Sequence, residues 1–485
     1  METKRGYILI VILIVLLAGC KSSVTDFTET DKLVSIDPDY SDIVLPPNIA
    51  PLNFKIEEEA TEYRVDIYSE NGKVIQIKSK NGIVDIPISK WKKLLAENRG
   101  EKLFFSIYGK SENGWVKFPE IENTIANENI DSHLAFRILY PGYELWNDMG
   151  IYQRNLETFE QKPIIENKAL GNDCVNCHSF AANSPETMMF HVRGKNGGTI
   201  VYSEGELKKR NIKVEGMPGG AVYPYWHPGG KMIAFSSNRI KQFFHSTGDK
   251  YIEVSDFISD LIVYDVEENI VRSDSSIATK EYMETFPTWS PDGKYLYYTR
   301  ALPPVDEDLK NVRYNLMRIA FNATNNTWGQ PETIYDAVAI GKSVAFPRIS
   351  PDGKTLVFTM ADYGNFTIWH NEADLYQVNL ETNKTEILPV NSDWVESYHS
   401  WSSNGRWMVF SSKRRDTQCA RPYFFYFDKN GKAHKPFIMP QKDPEFYDSF
   451  LRTYNIPELI TGEVPVKEWD LIDAAHQDPV QAQAD

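Results

Sequence analysis

The residues of this chain best suited to chemistry lie between Cys174 and His178, a segment that follows the pattern C-x-x-C-H. Two thiols three positions apart can form thioether bonds to the two vinyl groups of one haem, and this spacing is the attachment pattern of c-type haem. The adjacent imidazole is then placed to take one axial position on the iron. The pattern therefore predicts a covalent haem c, with Cys174 and Cys177 as attachment points and His178 as the proximal ligand.

Other interpretations of the same residues remain open. Cys174 and Cys177 could instead form a disulfide or a redox-active dithiol. They could also belong to a metal site with His178, although such a site needs more cysteine or histidine ligands nearby.

The sixth ligand of a low-spin haem is usually a methionine or a histidine. Strand side chains alternate, so Met188 is expected on one face of its strand and Met189 and His191 on the other. An open sixth position is a further alternative. The candidates are Met188, Met189 and His191 close to the motif, and His227 and His399 further along the chain.

The amino terminus indicates export. Lys4 and Arg5 precede an apolar run from Tyr7 to Leu17 that ends in Leu-Ala-Gly-Cys at Cys20. A basic segment, a short apolar segment and small residues are typical of a signal peptide, here residues 1–19. The apolar run is too short for a membrane span, so we expect no transmembrane helix.

The last four residues of this segment resemble the bacterial lipobox, which implies cleavage before Cys20 and lipidation of its thiol. Residues 20–42 are then expected to form a flexible tether. Surface-exported lipoproteins of Bacteroidota-type bacteria carry acidic residues directly after this cysteine, whereas the first acidic residue here is Asp26. The resemblance implies a lipid-anchored protein of the cell envelope, facing the periplasm from the outer membrane.

The composition favours a large β-rich body. Aromatic residues make up 13% of the chain, which also holds 28 Gly and 27 Pro. This mixture is typical of strands joined by tight turns. The net charge of -15, without long runs of Lys and Arg, argues against a nucleic-acid partner. Cys419 is expected to be a buried free thiol.

Four segments share one sequence template. In each, an aromatic-rich run is followed by a turn with Gly and then by a second β-run, and proline with glycine makes the turn. Asp292 and Asp352 are therefore expected to be turn residues. The template recurs at intervals of about 50–60 residues, which is typical of a propeller blade. The four segments are Tyr223–Lys231, Phe286–Lys294, Phe346–Lys354 and His399–Arg406.

These segments resemble the TolB-type, WD40-like β-propeller repeat. The resemblance implies a mainly β fold with six blades, five recognisable repeats and a closing blade. A degenerate copy at Asn183–His191 directly follows the C-x-x-C-H motif. We therefore expect the motif where an innermost strand enters its blade, near one mouth of the central channel.

The expected domain boundaries follow from this repeat. Residues 173–470 are assigned to the propeller and residues 121–172 to a connector that supplies outer strands of the closing blade. Phe446–Val466 is expected to complete the seam, and residues 471–485 are expected to be disordered. Residues 43–120, with strand-like runs and Asn-Gly turns, are expected to form an immunoglobulin-like or fibronectin-like β-sandwich.

The resemblances and the motif together imply a membrane-anchored c-type haem protein for electron transfer or redox sensing, with a redox partner or other envelope proteins as partners. The alternative is a haem-free scaffold whose propeller faces and small domain bind envelope proteins or glycans. No set of residues supports a third alternative, an enzyme, because the chain carries no G-x-S-x-G, P-loop, H-E-x-x-H or Rossmann motif.

Overall fold

The computed structural model describes residue 24 and residues 26–142, 147–248, 250–305 and 308–485. The predicted signal peptide and Cys20 lie outside the described residues. Within them, two β-rich units follow one another along the chain.

The first unit is a β-sandwich with one helix. A seven-stranded sheet and a three-stranded sheet enclose a core that includes Phe54, Phe105 and Trp91. The helix Ile88–Glu97 buries Trp91, Leu94 and Leu95 against this core, as its spacing of apolar residues requires. The strands of the larger sheet are Phe27–Glu29, Val44–Leu45, Glu62–Tyr68, Ile75–Ser79, Lys102–Ser111, Gly114–Lys117 and Ile121–Ile125; those of the smaller sheet are Ile36–Asp37, Phe54–Ile56 and Ile83–Val84.

The sandwich extends beyond its predicted range, residues 43–120, at both ends. The expected tether is wrong for residues 26–42, because Phe27–Glu29 pairs in parallel with Gly114–Lys117 and Ile36–Asp37 pairs with Phe54–Ile56. Polar composition misled the prediction here, since these strands lie at sheet edges and their buried apolar anchors are few, chiefly Ile36 and Tyr40. At the other end, Ile121–Ile125 belongs to the sandwich and not to the connector.

The second unit is a six-bladed β-propeller, which confirms the predicted fold class. Blades 1–5 follow the chain, and each begins with its innermost strand. Blade 1 consists of Cys174–Phe180, Met188–Arg193, Gly198–Ser203 and Glu206–Asn211, and blade 2 of Gly220–Trp226, Met232–Phe244, Ile252–Asp265 and Ile270–Arg272. Blade 3 consists of Met283–Trp289, Tyr295–Ala301, Asn315–Asn322, Thr327–Trp328 and Glu332–Tyr335. Blade 4 consists of Ser343–Ile349, Thr355–Ala361, Asp374–Asn379 and Lys384–Ile387, and blade 5 of Glu396–Trp401, Trp407–Ser412, Arg421–Tyr426 and Phe437–Ile438.

Blade 6 closes the ring by joining distant parts of the chain. Its innermost strand, Thr453–Ile460, pairs with His133–Leu139, which continues outward to Gly150–Asn155 and Gln161–Glu166. Pairing early and late chain in one blade leaves no open edge between the first and last blades. The short helix Phe446–Ser449 precedes the seam strand.

The tight turns of the template form as their sequence requires. In blade 3 the Ser290 hydroxyl donates to the Asp292 carboxylate at 2.6 Å, and that carboxylate accepts from the Lys294 amide at 3.1 Å. Gly293 has φ of 70°, which glycine adopts without strain. Ser350 and Asp352 repeat the arrangement in blade 4.

The carboxy-terminal tail is ordered, so the prediction of disorder for residues 471–485 is wrong. The helix Glu468–His476 buries Leu471, Ala474 and Ala475 in the core that blades 6 and 1 share. Beyond it, Val480–Gln481 and Gln483–Ala484 add parallel strands to the outer edges of blades 1 and 2. The tail is polar because it covers the rim, and its order depends on blade edges that only the folded ring provides.

Candidate functional site

Every innermost strand of the propeller carries the same backbone irregularity. A β-bulge interrupts its pairing with the second strand, as between Asn176 and Ser179 in blade 1. At each bulge one residue other than glycine has φ between 49° and 53°, a conformation that such residues seldom adopt. These six bulge residues are Cys177, Tyr223, Phe286, Phe346, Tyr398 and Ile456.

The bulge residues plug the central channel. The ring centroids of Tyr223 and Phe286 are 4.2 Å apart, those of Phe286 and Phe346 4.1 Å, and those of Phe346 and Tyr398 4.7 Å. Tyr223 of blade 2 also meets Phe346 of blade 4 edge-on at 6.0 Å. Since blades 2 and 4 are not neighbours, these rings meet across the channel and obstruct it.

A chamber of about 300 Å³ lies at the mouth of this plugged channel. This volume is at the lower end of small-molecule sites, which run from about 300 to 1,000 Å³. Its floor includes the bulge residues Cys177, Tyr223, Phe346, Tyr398 and Ile456. The residues two positions further along the strands supply most of its polar wall, namely Ser179, Tyr225, Arg348, Ser400 and Glu458.

The C-x-x-C-H motif lies on the innermost strand of blade 1, next to the channel, as the degenerate repeat predicted. Its members do not share one environment. Cys177 and His178 line the chamber, whereas Cys174 is buried in the apolar core between blades 6 and 1, near Ala135 and Ile151. Burial raises the pKa of the Cys174 thiol.

His178 is buried without a well-formed hydrogen bond on either ring nitrogen. Burial lowers its pKa to about 3, and the nearby Arg137 guanidinium acts in the same direction. The imidazole is therefore neutral at physiological pH, with a lone pair free to bind a ligand.

Asn176 and Arg137 hold the bulge in blade 1. The Asn176 side-chain oxygen accepts from the Cys177 amide at 2.8 Å and from the Arg137 guanidinium. Arg137 also donates to the Asn455 side chain of blade 6 at 2.6 Å. Arg137 could not be identified from the sequence, because its guanidinium reaches Asn176 of blade 1 only when blade 6 closes the ring.

Two charged residues that were not identified from the sequence, Arg348 and Glu458, also line the chamber. Arg348 donates to its neighbouring Pro347 carbonyl at 2.9 Å and lies over the Tyr225 ring at 5.0 Å. Glu458 accepts from the Phe180 amide at 3.0 Å. Burial raises the pKa of Glu458 to about 8. The sequence did carry a signal for Arg348, because the third position of the template is a charged residue in blade 4 but Tyr225 in blade 2 and Thr288 in blade 3.

The three sixth-ligand candidates close to the motif, Met188, Met189 and His191, lie apart from the chamber. Met188 is buried with Cys174, while Met189 lies in the core between blades 1 and 2. His191 packs against Phe235 of blade 2, so the predicted alternation of faces holds. The His191 Nδ1 is 3.0 Å from the Thr199 hydroxyl. Of the two distant candidates, His399 lines the chamber and His227 packs against Trp289.

Two searches of the described residues gave negative results. No group of three or more His, Cys, Asp or Glu side chains there is arranged to hold a metal ion. No helix in the same part of the chain is long and apolar enough to cross a membrane. Cys419 is a buried free thiol, as predicted.

The topology and the chamber define a six-bladed β-propeller with a ligand-sized site at its channel mouth. Comparison with known proteins finds no matching family model and no matching curated protein. Similar solved structures include a proposed TolB from Agrobacterium tumefaciens, with 13% identity and a TM-score of 0.38 over 68% of this chain and 98% of that one. They also include a chain of the nidogen/laminin complex, with 11% identity and a TM-score of 0.37 over 68% and 100%. The tricorn protease gives 13% identity and a TM-score of 0.37 over 84% and 36%.

Proposed function

We propose that the protein is a binding scaffold of the cell envelope whose channel-mouth chamber holds a small polar ligand. The observation that carries this proposal is the aromatic plug, which gives the chamber a floor and leaves Arg348 and Glu458 facing one enclosed space. Concave sites with an apolar lining and a few convergent polar groups are the usual form of small-molecule sites.

The test is calorimetric titration with four classes of small molecule: amines, carboxylates, zwitterionic amino acids and neutral sugars. Ser400 lines the chamber, so Ser400→Trp fills it. Thr324→Trp adds the same side chain at an exposed position of blade 3 and is the matched control. Saturable binding to the wild type and Thr324→Trp, lost in Ser400→Trp, is expected. Absence of saturable binding in all four classes would overturn the proposal.

The envelope location rests on the amino terminus. The basic residues, the apolar run and the lipobox-like ending support export and lipidation at Cys20, and a lipid chain would hold the body at a membrane surface. The location fits a scaffold that presents its chamber and its outer faces to soluble ligands and to other envelope proteins.

A c-type haem protein is the second candidate, and the unpartnered imidazole of His178 favours it. His178 is placed to serve as an axial ligand and Cys177 to form a thioether, since both line the chamber. Cys174 does not fit as placed, because its thiol must first leave the core between blades 6 and 1. A bound haem would supply one-electron transfer, and no sixth ligand is assigned.

A pyridine haemochrome spectrum separates the two candidates. The protein is made in a host with a c-type maturation system, beside Cys177→Ala and Cys174→Ala variants. A c-type α-band that Cys177→Ala loses and Cys174→Ala retains unshifted indicates a single thioether through Cys177. A colourless wild type excludes the haem protein and leaves the scaffold.

A further inference from the structure

We infer that the chamber binds a zwitterion of amino-acid size, with its carboxylate on Arg348 and its ammonium group on Glu458. This inference rests on the proposed function and names the ligand class of that site. It follows from the positions of the two charged side chains in the propeller, from the hydrogen bonds that each makes, and from the absence of an ion pair between them.

Arg348 and Glu458 occupy equivalent positions in two different blades. Each lies two residues after the bulge residue of its innermost strand, Phe346 in blade 4 and Ile456 in blade 6. Both line the same chamber, and blade 5 separates them. A ligand between them would therefore lie over Tyr398 and Ser400 of blade 5, which also line the chamber.

The two charges affect one another but do not form an ion pair. Burial lowers the pKa of Arg348 and raises that of Glu458, and the charge of each side chain partly offsets the effect of burial on the other. Among the ion pairs of the described residues within 4.0 Å, none joins Arg348 to Glu458. Since both side chains line one chamber, a molecule that accepts from Arg348 at one end and donates to Glu458 at the other would bridge them.

Both side chains keep unused hydrogen-bonding capacity. A guanidinium carries five N–H donors and a carboxylate about four acceptor sites. Within the described part of the chain, however, these two side chains make two hydrogen bonds, one from Arg348 to Pro347 and one from Phe180 to Glu458. A ligand carboxylate can bind the free edge of the guanidinium with two parallel bonds. A ligand ammonium can donate to the remaining Glu458 oxygen.

The size and lining of the chamber limit the rest of the ligand. At about 300 Å³ the chamber suits a molecule no larger than an amino acid or a short peptide end. Tyr223, Tyr225 and Phe346 offer aromatic surface to an apolar side chain. A neutral sugar offers no carboxylate to Arg348, whose charge then stays unpaired in a partly buried site, which is costly.

Binding should release a proton. With its pKa raised to about 8 by burial, Glu458 is mostly neutral at pH 7, and an arriving ammonium group favours the ionised form. The other titratable or charged groups lining the chamber are Arg348, His178 and His399, with Cys177, Tyr223, Tyr225 and Tyr398. The two histidines stay neutral near pH 7 because burial lowers the pKa of each to about 3.

The experiment is calorimetric titration of the full mature chain with the twenty amino acids. The tightest binder is then compared with its analogue lacking the amino group and its analogue lacking the carboxylate. Both analogues are expected to bind at least tenfold more weakly. Titration in two buffers of different ionisation enthalpy is expected to show release of close to one proton per ligand at pH 7.

Glu458→Gln keeps the acceptor for the Phe180 amide, and Arg348→Met keeps the stem over Tyr225, so both variants should fold. Each is expected to lose at least tenfold in affinity, and Glu458→Gln should release no proton. Arg318→Gln, which removes an exposed partner of Glu332 on blade 3, is the matched control and should bind like the wild type. Unchanged affinity in both chamber variants would overturn the inference.

The two proposals fail in different ways. Binding of amines, carboxylates or sugars without any amino acid would overturn the zwitterion and keep the scaffold. Absence of binding in every class would overturn both.

Discussion

His178 and His399 occupy the same position in two blades, yet of the two rings only that of His399 makes a well-formed hydrogen bond. Each directly follows a bulge residue, Cys177 with φ of 53° and Tyr398 with φ of 49°. The His399 Nε2 lies 2.9 Å from the Val357 carbonyl oxygen of blade 4. Neither nitrogen of His178 has such a partner. Blade 1 therefore leaves a buried imidazole unused where blade 5 uses the equivalent ring to join two blades.

This difference predicts opposite effects of one substitution at the two positions. His399→Leu leaves the Val357 carbonyl unpaired and should lower the free energy of unfolding by about 1–3 kcal/mol. His178→Leu removes a polar group without a partner and should leave the stability of the ligand-free protein unchanged or slightly higher. Urea unfolding of the two variants checks this prediction, and equal destabilisation would contradict it.

Above the range in which the buried histidines affect folding, stability should fall as the pH rises from about 6.5 to about 8. Burial raises the pKa of Glu458 and of Glu284 from their ordinary value of 4.5 to about 8. In this window the folded state holds protons on these groups that the unfolded state has lost, so raising the pH favours unfolding. Urea midpoints measured across the window are expected to decline less steeply in Glu458→Gln and Glu284→Gln. Identical slopes in wild type and variants would exclude both carboxyl groups as the cause.

Acidification should destabilise the protein for a different reason. Burial lowers the pKa of His178, His191 and His399 from 6.5 to about 3. Between these values the unfolded state binds protons that the folded state does not, so stability is lost as the pH falls below about 6.5. His191→Gln should reduce this loss in unfolding experiments between pH 4 and 6.5. A steeper loss in the variant would contradict the assignment.

The aromatic plug should contribute strongly to stability. Phe346 is buried and contacts Tyr223, Phe286 and Tyr398, so Phe346→Ala should cost about 3–5 kcal/mol in the free energy of unfolding. Leu302→Ala changes a side chain that is 64% exposed and should cost less than about 0.5 kcal/mol. Chemical denaturation measures both, and a cost below 1 kcal/mol for Phe346→Ala would show that the channel does not depend on this ring.

The ordered tail predicts a graded response to truncation. Removing residues 477–485 takes away the added edge strands of blades 1 and 2 but leaves all six blades. The shortened protein should fold, with faster amide exchange in Glu206–Asn211 and Ile270–Arg272. Removing residues 453–485 also deletes the innermost strand of blade 6 and should abolish cooperative folding. Unchanged exchange rates in the first truncation would contradict the pairing.

Lipidation is tested most directly at Cys20. Cys20→Ala should move the mature protein from the membrane fraction to the soluble periplasmic fraction, because the lipid chains supply the anchor. Fractionation and intact mass determine the outcome. A variant that remains in the membrane fraction with unchanged mass would exclude lipidation at this residue.

The local sequence determined the blades and their turns. The Pro-Asp-Gly template at Phe286–Lys294 fixes a turn through the proline φ angle and the left-handed glycine, and neither depends on distant residues. The alternation at Met188 and Met189 likewise follows from the two-residue period of a strand. The closing blade could be predicted because Ile151–Thr158 closely repeats Leu375–Thr382 of blade 4, yet precedes the first full blade.

Only the tertiary structure decided which side chains meet. Closure of the ring brings Arg348 and Glu458 to one chamber from blades whose sequences carry no mutual signal. It also leaves Cys174 in the core between blades 6 and 1 while Cys177, at the bulge, lines the chamber, although the C-x-x-C-H pattern had placed both thiols in one site. The tail was misjudged for the same reason, since the blade edges that order it exist only after the propeller has closed. Local backbone preferences are encoded residue by residue, whereas contacts across the channel depend on the packing of all six blades.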